Sequence, residues 1–81
     1  MDEEKLAQMR ATLNKLEDIR NSQLSIIDKI NHVITDMFAH PDKELEKAME
    51  TAHQNSSDSV DLIGEAIEEF EMKINKSESE G

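Results

Sequence analysis

The chain contains no Cys, Trp or Tyr, and its 81 residues include only two Phe, two Gly and one Pro. Each shortage removes a class of answer. Without Cys there are no disulfide staples, no thiolate zinc sites and no thiol nucleophile. So few Gly and aromatic residues give strands and their tight turns little to build with. No Gly-rich phosphate loop and no Ser/His/Asp arrangement is present, so the sequence implies no enzyme, no cofactor and no small-molecule substrate. No apolar run approaches the ~20 residues that a membrane span needs. The first residues, Met1-Asp2-Glu3-Glu4, are the opposite of a basic signal-peptide start. The expectation is a cytoplasmic protein, with any export following a signal-peptide-independent route. On that expectation the triplets Asn55-Ser56-Ser57 and Asn75-Lys76-Ser77 carry no glycan.

What is present favours helix. Glu, Lys, Ala, Leu and Ile are all good or tolerated helix formers. The formal net charge is −10, and it is unevenly placed. Residues 1–40 hold seven acids and five bases, whereas residues 41–81 hold twelve acids and four bases. A surface this acidic repels phosphate backbones, which argues against nucleic acid as a partner. A solvated face that keeps the protein soluble is the plain reading of the acidic half. A docking surface for a basic partner is the functional one.

Apolar spacing supplies the architecture. Leu6, Met9, Leu13, Leu16, Arg20, Gln23, Ile27, Ile30, Ile34 and Met37 follow an unbroken 3-4 spacing, the seam of a helix that packs on another helix. This predicts one helix over 2–39, ended because the residue before Pro41 is pushed out of the α region. Residues 40–42 then form a compact turn, with either Asp42 as the cap of the next helix or Pro41 as its first residue. A second stripe, Met49, Ala52, Ser56, Val60, Ile63, Ile67, Phe70 and Ile74, predicts a helix over 43–75. Its doubled four-residue step is a stutter within Asn55-Ser56-Ser57-Asp58-Ser59, where the helix either continues slightly unwound or breaks to start a third helix near Asp58. The polar residues 76–81 read as a disordered tail. Fold class is therefore all-α: a single antiparallel helical hairpin over residues 1–75.

Folding at the turn brings Arg20 and Gln23 level with Ser56, Asp58, Ser59 and Asp61. Arg20 is placed to pair with Asp58 or Asp61, and Gln23 with Ser56 or Ser59, a polar layer that would set register. Alternatively, Arg20 snorkels to solvent. Gly64 costs about 1 kcal/mol against Ala inside a helix, yet would let another chain approach closely.

The first helix has more apolar surface than one partner helix covers. Ile19, Ile26 and Val33 flank its seam on one side, and Leu24 and Phe38 on the other; in the second helix, Leu62 and Met72 lie off the stripe. Such width belongs to a bundle. Ile19, Leu24, Ile26, Ile30, Val33, Phe38 and Leu62 are therefore the expected docking residues, completing a four-helix bundle with the chain's own copy or with another helical protein. His32, Asp36 and His40 stand four apart on one helix face, but at a helix end with no second shell they read as solvent-facing polar residues rather than metal ligands.

An acidic, Cys-free hairpin of under 100 residues resembles the WxG-type small proteins of type VII secretion systems. It is still more similar to the small helical partners of LXG toxins. The likeness is one of shape over residues 2–75. The turn reads Phe38-Ala39-His40-Pro41-Asp42, without Trp-x-Gly, and Phe70 is followed four residues later by Ile74 rather than by the acid of the family's export motif. What the resemblance implies is a chaperone or targeting partner that binds the helical domain of a secreted toxin. Two other readings stand beside it: a self-assembling structural bundle or filament subunit, and an acidic regulator that occupies a basic nucleic-acid-binding surface.

Overall fold

The structure, a computed structural model, describes residues 2–80. Two helices, α1 (Glu3–Asp36) and α2 (Lys43–Glu80), pack against each other as a hairpin. Asp2 caps α1, its carboxylate accepting from the Glu4 amide at 3.0 Å, and Glu3 and Glu4 complement the positive end of the helix dipole. The helix ends at Asp36, three residues short of the expected end, with Met37 as its cap. From there the chain tightens: the Phe38 amide donates to the Thr35 carbonyl at 3.1 Å and the Ala39 amide to that of Asp36 at 3.0 Å. These i→i−3 bonds satisfy carbonyls at a terminus that Pro41 prevents from continuing.

Asp42 is the cap of α2. Its carboxylate accepts from the Leu45 amide at 3.1 Å, and its carbonyl from the Glu46 amide at 2.9 Å. Pro41 therefore lies just outside the helix. The serine-rich stretch does not break α2, which is a single helix through residues 55–58. Ser56, Ser57 and Ser59 are half-buried against α1, and Gln54 donates to Asp58 one turn on at 2.9 Å. Packing and a local side-chain link outweigh poor intrinsic propensity here.

The helix also overruns its expected end at 75. Ser77 is buried, its hydroxyl donating to the Lys73 carbonyl at 2.9 Å; Ser79 donates likewise to Asn75 at 3.1 Å; and Glu78 pairs with Arg10 of α1. Residues 76–80 are thus helical rather than a loose tail, and Gly81 lies outside the described residues.

The seam is thin. Ile30 and Met37 from α1 and Ile67 and Ile74 from α2 are its buried apolar side chains, and among the described residues no side chain is fully buried. The hairpin measures 59 × 15 × 12 Å, with a radius of gyration of 18.2 Å. A compact domain of this length would have about 12 Å.

Candidate docking surface

Several of the large apolar side chains that the seam does not use lie open. Phe38 is 87% exposed, Leu62 66%, Met72 62%, Leu24 48%, and Ile19 and Ile26 44% each. Val33 is half-buried. Ile30 does not belong with them: at 8% exposure it is part of the seam, because its row, Gln23-Ile30-Met37, points at α2. The solvent-accessible surface is 6118 Å². A folded monomer of this mass, 9.2 kDa, typically exposes about 4,900 Å². The excess of about 1,200 Å² measures how little the hairpin covers of itself.

The open residues divide between two faces. Advancing ~100° per residue, Ile19, Ile26 and Val33 make one row on one side of the α1 seam. Leu24 and Phe38 belong to the row Arg10-Glu17-Leu24-Asn31-Phe38 on the other side. Because α2 runs the opposite way, Ala48 and Asn55, then Ser59 and Ala66 beyond the stutter, come to the side of Ile19, Ile26 and Val33. Leu62 stands at the outer edge of that side. Glu46 and His53, then Gly64, Glu71 and Glu78, come to the side of Phe38 and Leu24. Two contacts fix this handedness: Phe38 lines a small recess of ≈ 160 Å³ with Ile34, Met37 and Glu46, and Arg10 meets Glu78.

One face is therefore acidic, with Leu24 and Phe38 as its apolar points. On the other, the rows that flank the seam are uncharged from Val33 and Ala48 to Ile19 and Ala66, and charged residues such as Glu44 and Lys47 stand at the outer edge. The α2 edge of this face carries an open groove of ≈ 530 Å³ lined by Glu44, Lys47, Ala48, Thr51, Ala52 and Asn55. Large side chains on α1 and small ones on α2 make this face uneven.

The anticipated polar layer is placed but not joined. Arg20, Gln23, Ser56 and Ser59 are half-buried, while Asp58 and Asp61 are exposed. Among the described residues no hydrogen bond or ion pair links Arg20 to either aspartate, or Gln23 to either serine. Asp58 accepts from Gln54 instead, a partner one turn away on its own helix. Among the described residues a charge pair does cross between the helices, Arg10–Glu78, and a sequence reading that ends α2 at Asn75 leaves no place for it. Its signal was present: Ile67, Phe70, Ile74 and Ser77 continue the 3-4-3 spacing.

Among the described residues no group of three or more His, Asp or Glu side chains is placed to hold a metal ion. His32 lies 3.9 Å from Asp28, one turn earlier, both largely exposed. Among the described residues no helix is long and apolar enough to cross a membrane. Comparison with protein-family models, curated proteins and solved structures finds no match.

Proposed function

We propose that this protein is a non-enzymatic docking module that binds other helices, and that its work is that of a small chaperone or targeting partner of a secreted protein. The observation that carries the docking reading is the set of large apolar side chains open on the hairpin, Phe38 at 87% exposure above all. An isolated hairpin this elongated has little core to hold it, and small domains without staples gain stability by associating. On the acidic face, Leu24 and Phe38 would seat the apolar stripe of a partner helix, with Glu46, Glu71 and Glu78 favouring a partner whose stripe is rimmed by Lys or Arg. The secretion role draws on the resemblance in shape to the helical partners of LXG toxins.

The test is the solution mass of the purified chain, alone and with the helical domains encoded by neighbouring genes. The expected result is a stoichiometric complex with one of them, lost in Leu24→Ser/Phe38→Ser. A monodisperse 9.2 kDa species in every mixture would overturn the docking reading.

A further inference from the structure

We infer that the face of Ile19, Ile26 and Val33 closes on a second copy of this chain, α1 of each copy lying over α2 of the other, with both turns at the same end. This rests on the docking reading and names the occupant of one of the two faces. Three observations support it.

The first is self-complementarity of size. Measured from the turn, Val33 is level with about residue 48, Ile26 with about residue 55, and Ile19 with about residue 62. A two-fold axis along the hairpin keeps these heights and exchanges the two sides. Val33 then lands over the other copy's Ala48, at the open groove, and Ile26 over Asn55. Ile19 falls between Ser59 and Ala66, beside Leu62. Val33 and Ile19 thus meet small residues, and Asn55, opposite Ile26, lines the same open groove as Ala48. The same contacts are made twice.

The second is charge. A two-fold axis across the hairpin would instead stack α1 on α1 and α2 on α2. That sets branched rows against each other and brings together two segments, residues 41–81, that each carry twelve acids and four bases. The axis along the hairpin keeps the two α2 helices diagonal to one another. It also brings Lys15 of one copy near Glu69 of the other.

The third is area. A stable interface of ordinary size covers about 800 Å² on each partner. One broad side of the hairpin, 59 Å long and 15 Å wide, presents about 900 Å² in outline, enough for such an interface, and Leu24 and Phe38 stay open on the other side.

The arrangement can be read by cross-linking, because the natural chain has no Cys and every disulfide is an introduced one. Chains carrying Val33→Cys are mixed with chains carrying Ala48→Cys and oxidised. The expected product is a mixed disulfide of twice the chain mass, formed at least ten-fold faster than the links either variant makes alone. Rapid linking of Val33→Cys to itself would put α1 on α1 and overturn the proposal, as would no linking in the mixture. Sedimentation equilibrium of Ile26→Glu/Val33→Glu supplies a second reading. Both side chains lie outside the seam, so helicity is retained while the dimer constant weakens at least a hundred-fold; an unchanged dimer overturns the proposed face. If no homodimer is found but a neighbouring helical domain binds through Leu24 and Phe38, the dimer fails and the docking reading stands. If neither forms, both fail.

Discussion

Gly64→Ala should make this protein more stable. Gly64 lies inside α2, and a Cβ built on it meets nothing within 4 Å. The hairpin itself gains nothing from the missing methyl group. Gly at a helix interior costs about 0.8–1.0 kcal/mol against Ala, mostly through backbone entropy lost on folding. Steric clash within the chain takes nothing back, so the full difference is expected to appear as stability. For a chain of this size, 1 kcal/mol shifts the melting temperature by about 4–8 °C. The assay is thermal melting followed by far-ultraviolet circular dichroism, at one fixed protein concentration because association shifts the midpoint. Gly64 lies on the acidic face, away from the face where the second copy is placed, so the dimer constant should stay within two-fold. A lower melting temperature would refute the reasoning, since it would mean that Gly64 is packed against something.

Ile67, at 3% exposure, is the most buried apolar residue among those described. Ile67→Ala is expected to cost about 2–4 kcal/mol by denaturant titration, enough to abolish cooperative unfolding in a hairpin with so thin a core. Phe38→Ser, by contrast, changes an 87% exposed side chain and should leave stability within about 0.5 kcal/mol of the parent while weakening partner binding. Asp42→Ala removes the cap at the start of α2 and should lower stability by about 1 kcal/mol; Asp42→Asn should restore most of it. The Arg10–Glu78 pair is 57% and 41% exposed, so a double-mutant cycle should assign it under about 1 kcal/mol, vanishing in high salt.

The hairpin was legible because two signals agree: a long 3-4 apolar spacing and one Pro, which together leave few other folds. The ends were harder. Whether Asp42 or Pro41 opened α2 depended on side-chain geometry at the corner, and α1 stopped at Asp36 because i→i−3 bonds replaced its last turn. Ser77 continues the seam by its spacing, but a serine carries no apolar signal that would extend the stripe to it. At the docking surface, Ile30 and Ile26 sit in adjacent apolar rows, and composition does not say which row faces α2. The structure does: Ile30 is in the seam and Ile26 is outside it. The polar layer failed for a local reason. Asp58 had Gln54 one turn away, and a neighbour on the same helix costs less ordering than Arg20 reaching across the seam.

The account turns on whether the apolar side chains left open by the hairpin are covered in solution. Sedimentation equilibrium of the purified chain at tens of micromolar tests this most directly. The account predicts a species of twice the 9.2 kDa chain mass, reduced to the single chain with helicity intact in Ile26→Glu/Val33→Glu. A fully helical, stable 9.2 kDa monomer of the unaltered chain would contradict it, as would a dimer that persists unchanged in the double variant.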